Sequence, residues 1–133
     1  MVGVLVADDR PPFRRAVRTI LSATAGFELL GEAVSGEDAV ALTRALCPDV
    51  VLMDVRMPGM GGIEATRRIR AVAGETVVVL VSSYPEEDLP GAARNCGAVA
   101  FVPKQGFGRQ VLEELWSEYR ATSSPPRGTA TRL

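Results

Sequence analysis

The chain has 133 residues, 47% of them hydrophobic and 23% charged, a balance typical of one globular domain that buries its own core. Its formal net charge of −1 excludes a general basic field that would attract nucleic acid or an anionic membrane. The apolar start is too short for the core of a signal peptide, and no later segment approaches the roughly 18 apolar residues of a membrane span, so we expect a cytoplasmic protein.

Five short apolar runs along the chain predict five β-strands. They span residues 2–7, 27–34, 49–53, 76–82 and 98–102. Three of these runs are nearly continuous Val and Leu, a pattern typical of strands that are buried on both faces of a parallel sheet. Parallel strands also require a crossover connection between each strand and the next.

Apolar residues at helical spacing occupy the intervals between these runs. Phe13, Val17 and Leu21 form one such stripe, and arginines lie opposite it. Further helices are predicted at residues 36–47, 62–72, about 90–97 and about 106–120. Strand and helix therefore alternate five times, which predicts an α/β fold with a doubly wound sheet of five parallel strands and five helices.

The last residues of the chain differ in composition from the rest. We predict one domain over residues 1–120. From 121 to 133 the sequence is rich in Ser, Thr, Pro and Gly and lacks apolar periodicity. This composition predicts a flexible tail or the start of a linker.

The two cysteines, Cys47 and Cys96, are far apart in the sequence and lie in apolar surroundings. The chain contains no histidine and no CxxC spacing, so its cysteines do not predict a zinc site. Because a free cysteine behaves as a small hydrophobic residue, we predict that both are reduced thiols in or near the core.

Polar residues stand where several of the predicted strands end. Asp8 and Asp9 follow the first strand, Asp54 the third, Ser82 the fourth and Lys104 the fifth. In a doubly wound sheet these ends converge on one edge, where ligands bind. Three carboxylates gathered there repel one another unless a cation is bound, and oxygen ligands without histidine or thiolate favour Mg²⁺ over zinc.

The same residues suit the transfer of a phosphoryl group. A carboxylate such as Asp54 can act as a nucleophile and form an acyl phosphate. A divalent ion, the Lys104 ammonium and the Ser82 hydroxyl are suitable groups to neutralise and bind the oxygens of the moving phosphoryl group. Taken alone, Asp8 and Asp9 would more simply cap the next helix. Asp54 and Lys104 stand at the corresponding ends of other strands, and this favours a functional site instead.

The segments VLVADD, VVLMDVRMPGMGG, VVVLVSS and AFVPK resemble, in this order and spacing, the signature blocks of response-regulator receiver domains, over residues 1–120. The resemblance implies a flavodoxin-like sheet of order 2-1-3-4-5 and an Mg²⁺-dependent phosphorylation by a histidine kinase. It implies roles for seven residues: Asp54 as phosphoacceptor; Asp8, Asp9, Asp54 and the Arg56 backbone carbonyl as metal ligands; Lys104 as phosphate-sensing lysine; and Ser82 and Phe101 as the switch pair. The chain has Gln105 after Lys104, where most relatives have proline. In this feature it resembles receivers attached to LuxR-type DNA-binding domains.

This resemblance also implies how the signal leaves the domain. Phosphorylation of Asp54 would draw Ser82 toward the new charge, and Phe101 would turn into the vacated space. The face formed by the fourth helix, the fifth strand and the fifth helix would then be repacked for a partner or a second copy. We expect the output to be transcription control. Only about a dozen residues follow the last predicted helix, too few for a helix-turn-helix reader, so we expect no nucleic acid binding by this segment.

Other functions for this pattern have different requirements. A phosphatase of the haloacid dehalogenase type needs a second aspartate two residues after the nucleophile, where this chain has Arg56. A flavodoxin needs amide donors in its first loop, which here reads Asp-Asp-Arg-Pro-Pro. We therefore expect no enzyme beyond self-phosphorylation and self-dephosphorylation on Asp54. A stand-alone or phosphorylation-independent receiver-like interaction module remains the alternative.

Overall fold

A computed structural model describes residues 1–120 and 131–133 of the chain. Its elements are β1 (Val2–Ala7), α1 (Pro11–Ser22), β2 (Phe27–Ala33), α2 (Gly36–Leu46), β3 (Val50–Asp54), α3 (Gly61–Val72), β4 (Val77–Ser82), β5 (Ala100–Pro103), α4 (Arg109–Tyr119) and β6 (Thr131–Arg132). Residues 121–130, the larger part of the predicted tail, lie outside the described residues. No helix within the described ranges is long and apolar enough to cross a membrane.

The six strands form one sheet of order β2-β1-β3-β4-β5-β6. The first five strands in this sheet are parallel, whereas β6 pairs antiparallel with β5. The predicted α/β class and the strand order 2-1-3-4-5 are confirmed. The sixth strand was not predicted.

Two apolar clusters lie on opposite faces of the sheet. One joins alternate residues of the inner strands to α1 and α4, and it includes Val17 and Leu115. The other, called here the second cluster, packs against α2 and α3 and includes Ile69 and Phe101. Because β3 is buried along its whole length, its run of apolar residues has the composition expected for a strand covered on both faces.

The helix predicted at about 90–97 is wrong. The chain there forms two short 3₁₀ turns, Glu86–Asp88 and Gly91–Asn95, and the described residues contain four α-helices. Proline disfavours helical backbone in the residue before it, and Leu89, which precedes Pro90, is extended with a ψ of 136°. Pro90 is itself extended, with a ψ of 146°, and the six residues between it and Gly97, whose φ is 104°, are too few to offset the cost of starting an α-helix.

The two cysteines differ in their surroundings. Cys96 is buried in the second cluster, as predicted. Cys47 is a free cysteine too, but its predicted place in or near the core is wrong, because this residue is exposed. Helix α2 ends at Leu46, and Cys47 takes the left-handed conformation that stops the helix before Pro48, with a φ of 50°.

Candidate functional site

The register of the sheet brings the carboxyl ends of its strands together. Ala7 of β1 pairs with Met53 of β3, so the next residues, Asp8 just after β1 and Asp54 at the end of β3, lie side by side. Ser82 of β4 pairs with Pro103, the residue before Lys104. The sequence-based grouping of these polar residues at one edge therefore agrees with the register.

Three carboxylates occupy this edge. Asp8 is fully buried, Asp54 is 3% exposed, and Asp9 is exposed. Each of the three offers a carboxylate oxygen, and these oxygens lie within 4.8 Å of one another. This is a compact set of hard oxygen donors with one side open to solvent, which fits Mg²⁺ rather than a softer metal.

Lys104 lies between two of these aspartates. Its Nζ donates to Asp8 Oδ2 at 2.6 Å and to Asp54 Oδ2 at 3.4 Å. The side chain is only 13% exposed, and its ammonium lies 5.3 Å from the centre of the Phe13 ring. That ring in turn packs edge-on against Phe107, which supports the ring beside the lysine.

The charges at this edge do not balance. Burial raises the pKa of Asp54 to about 6, against the lowering effect of the Lys104 charge and with a further rise from Asp8. One ammonium is thus shared by two buried carboxylates, with a third carboxylate, Asp9, nearby. A divalent cation would supply the missing positive charge, and it would favour the ionised, nucleophilic form of Asp54.

The main chain after Asp54 also contributes to the site. The Arg56 amide donates to Asp54 Oδ1 at 3.4 Å, which places this stretch of backbone beside the carboxylate. The Arg56 guanidinium lies 4.4 Å from the centre of the Tyr84 ring. Tyr84 and Phe13 were not predicted as residues of the site, because a contact between a charged group and a distant ring leaves no spacing pattern in the sequence.

Gly62 at the start of α3 lets the helix approach β3 closely. Its amide donates to the Val55 carbonyl at 3.1 Å, and a Cβ atom on it would collide with the Asp54 carbonyl oxygen. Within the helix, the Thr66 hydroxyl donates to the Gly62 carbonyl at 2.7 Å. The backbone of Asp54 is therefore packed directly against the first turn of α3.

The two predicted switch residues, Ser82 and Phe101, are both buried. The Ser82 hydroxyl accepts a hydrogen bond from the Tyr84 amide at 3.0 Å, and the side chain is 2% exposed. Phe101 is 1% exposed and lies in the second cluster. Its ring is thus already inside the protein, and its predicted inward rotation stays a prediction.

The two aspartates after β1 do not cap the next helix through their side chains. Helix α1 begins at Pro11, its N-cap is Arg10, and this cap makes no side-chain hydrogen bond. Asp8 Oδ1 instead accepts from the Arg10 amide at 2.9 Å, while the Asp8 carbonyl accepts from Arg14 at 2.7 Å. These bonds fix Asp8 and leave its second carboxylate oxygen to Lys104.

Comparison with known proteins assigns this architecture to a family. Residues 4–115 match the response regulator receiver domain. The chain is 38% identical over 119 residues to the response regulator UvrY of Escherichia coli O6:H1, covering 90% of the chain and 55% of UvrY, so it spans about half the length of this relative.

Two solved structures extend the comparison. A LuxR-family two-component response regulator from Aurantimonas sp. SI85-9A1 is similar with a TM-score of 0.77 and 29% identity, over 86% of this chain and 82% of the other. The receiver domain of the response regulator NarL from Mycobacterium tuberculosis gives a TM-score of 0.79 and 34% identity, over 87% and 94%. The predicted likeness to LuxR-type receivers is confirmed, and the chain belongs to the response regulator receiver domain family.

Proposed function

We propose that this domain is an Mg²⁺-dependent switch in which Asp54 accepts a phosphoryl group from a sensor histidine kinase. The observation that carries the proposal is the position of the Lys104 ammonium, in contact with the buried carboxylates of Asp8 and Asp54 at the carboxyl edge of the sheet. An ion pair buried for stability alone would balance its charges, whereas this one leaves an excess of carboxylate. The excess suits a site that binds a cation.

In the proposed reaction, a carboxylate oxygen of Asp54 attacks phosphorus. The bond between phosphorus and the kinase histidine nitrogen breaks as the new bond to the Asp54 oxygen forms. Lys104, 3.4 Å from Asp54 Oδ2, would neutralise an oxygen of the transferred group, and Ser82 would donate a hydrogen bond to another.

Asp8, Asp9 and Asp54 would hold Mg²⁺, with the backbone carbonyl of Arg56 as a further ligand. When bound, the ion supplies positive charge that stabilises the phosphoryl oxygens. The proximity of the Arg56 amide to Asp54 supports the placement of this stretch of backbone at the metal. Beyond this self-phosphorylation and its reversal on Asp54, no enzymatic reaction is proposed.

The response to phosphorylation would leave the domain through a surface formed by residues 85–97, β5 and α4, called here the output face. In this proposal Ser82 moves toward the phosphoryl group and the Phe101 side chain repacks. The repacked face would then bind a partner or a second copy of the chain. Since residues 85–97 form 3₁₀ turns rather than an α-helix, their few internal hydrogen bonds favour a large rearrangement.

For the whole protein, we propose a cytoplasmic response regulator that controls transcription. The described residues contain no helix-turn-helix motif and carry no strong positive charge, so DNA binding would belong to another part of the protein. UvrY, about half of whose length is matched by this chain, is a response regulator.

Phosphorylation can be tested directly by mass spectrometry of the intact chain. After incubation with phosphoramidate and Mg²⁺, we expect the mass to rise by one phosphoryl group, and we expect no rise in Asp54→Asn. The matched control is Asp49→Asn, which makes the same chemical change beside the other end of β3 and should be phosphorylated normally. An unmodified wild-type chain would instead favour an interaction module that works without phosphorylation.

A further inference from the structure

The outer edge of β5 is paired with a distant segment of the same chain. In the antiparallel β6, Arg132 pairs with Ala100 and Thr131 pairs with Phe101. The Leu133 amide extends this pairing by donating to the Val99 carbonyl at 3.0 Å. Residues 131–133 therefore act as an added strand on the sheet.

The free backbone groups on the outer edge of β5 explain why this segment can pair there. As the last strand of the parallel sheet, β5 would have one row of unpaired backbone groups, which is a template for any extended chain. The segment before β5 makes only short 3₁₀ turns, and a Cβ atom added at Gly91 would meet nothing within 4 Å. No α-helix of the described residues lies between β4 and β5 in the sequence.

The side chain of Leu133 gives the pairing an apolar component. It packs, partly buried, against the second cluster, which contains Phe101, Ala93 and Cys96. The same cluster is packed on its surface by Leu89 from the 3₁₀ segment. Leu133 thus covers apolar surface that the short turns before β5 leave available, and this gain adds to the backbone hydrogen bond.

The carboxyl end of β5 limits which segments can pair with the outer edge of this strand. Pro103 is the last residue of β5 and has no amide hydrogen, so it cannot donate to a strand beside it. The usable edge is therefore short, from Val99 to Val102. It suits an extended segment of about three or four residues that runs antiparallel to β5 and places an apolar side chain against the second cluster.

We infer that the outer edge of β5 is a strand-docking site whose occupant is residues 131–133 of the same chain. While this segment is docked, it occupies the backbone edge at Phe101 and withholds it from an extended partner or from β5 of a second copy. The docking goes beyond the proposed phosphorylation and does not depend on it. Residues 131–133 therefore compete directly with such a partner for part of the output face.

Hydrogen exchange of the 133-residue chain, followed by mass spectrometry, tests this docking. Leu133→Pro removes the amide that donates to Val99, and Leu133→Asp keeps the amide but places a charge against the second cluster. In both variants we expect exchange over residues 99–102 to become about threefold faster or more, with β1 and β3 unchanged. Val72→Asp makes a matched apolar-to-acid change at an exposed position on α3 and should leave residues 99–102 at the wild-type rate.

Wild-type exchange over residues 99–102 in both Leu133 variants would overturn the inference, and so would an equal acceleration in Val72→Asp. The same measurement in an Asp54→Asn background should give the same acceleration. Failure of the phosphorylation proposal would therefore leave this result intact, and failure of the docking would leave phosphorylation intact.

Discussion

Lys104 Nζ lies 2.6 Å from Asp8 Oδ2, although 96 residues separate the two in the sequence. The contact to Asp54 Oδ2 is longer, at 3.4 Å, so the lysine is anchored mainly by an aspartate that would also bind the metal. A cation bound at Asp8 would compete with Lys104 for the same oxygen. Such competition would release the ammonium toward Asp54, where the phosphoryl group would arrive.

Replacing the lysine tests its electrostatic role. In Lys104→Gln without Mg²⁺, we expect the pKa of Asp54 to rise above about 6, because the Lys104 charge lowers it in the wild type. Carboxyl chemical shifts followed by NMR during a pH titration would measure this change. Arg109→Gln removes a cation from a 68%-exposed side chain and should leave the titration of Asp54 where it is. A pKa that stays or falls in Lys104→Gln would contradict the role given to the lysine.

The raised pKa of Asp54 also predicts how stability depends on pH. Burial makes the ionised carboxylate costly in the folded state, so this group reduces stability increasingly as pH rises from the ordinary value near 3.8 to about 6. Without Mg²⁺, Asp54→Asn should therefore raise the free energy of unfolding at pH 7, by on the order of 1–3 kcal/mol. Below about pH 4 the gain should disappear.

Urea denaturation of wild type and Asp54→Asn at both pH values measures this difference, and Asp49→Asn serves as the control for an Asp-to-Asn change outside the site. Equal stabilisation at pH 4 and pH 7 would mean that the effect does not arise from ionisation of Asp54.

The exposed aspartate, Asp9, should contribute strongly to Mg²⁺ binding and very little to the stability of the fold. Asp9 is exposed, yet one of its oxygens lies within 4.8 Å of those of Asp8 and Asp54. We expect Asp9→Asn to weaken Mg²⁺ binding about tenfold or more, as measured by titration calorimetry. The free energy of unfolding without Mg²⁺ should change by less than about 0.5 kcal/mol. An unchanged Mg²⁺ affinity would remove Asp9 from the proposed metal ligands.

Much of this architecture follows from the sequence because its strands are buried on both faces. A run such as residues 50–53 must then be apolar, and the first polar residue after it, Asp54, marks the edge where ligands bind. The convergence of Asp8, Asp54 and Lys104 at one edge follows from the parallel direction of the strands that precede them. It could therefore be predicted without knowing any distance.

The features that could not be predicted depend on tertiary contacts or on small local differences in energy. Pro90, which suits the first position of a helix, and Gly97, which suits its end, favoured a helix at 90–97, but the extended backbone at Leu89 and Pro90 leaves pieces too short for one. The contact between Arg56 and Tyr84 joins two loops without any periodic signal. The antiparallel strand at residues 131–132 depends on the free edge of β5, which exists only once the sheet has formed.

The close approach of α3 to β3 provides a test of the scaffold of the site rather than of its charges. In Gly62→Ala the new methyl group would meet the Asp54 carbonyl oxygen, so either the helix or the strand must move. We expect the free energy of unfolding to fall by about 1–3 kcal/mol, as in other overpacked sites, and phosphorylation by phosphoramidate to slow because Asp54 is displaced. Gly91→Ala adds the same methyl group where nothing lies within 4 Å and should change neither quantity. If Gly62→Ala kept wild-type stability and phosphorylation rate, contact between the first turn of α3 and the Asp54 backbone would not be what positions Asp54.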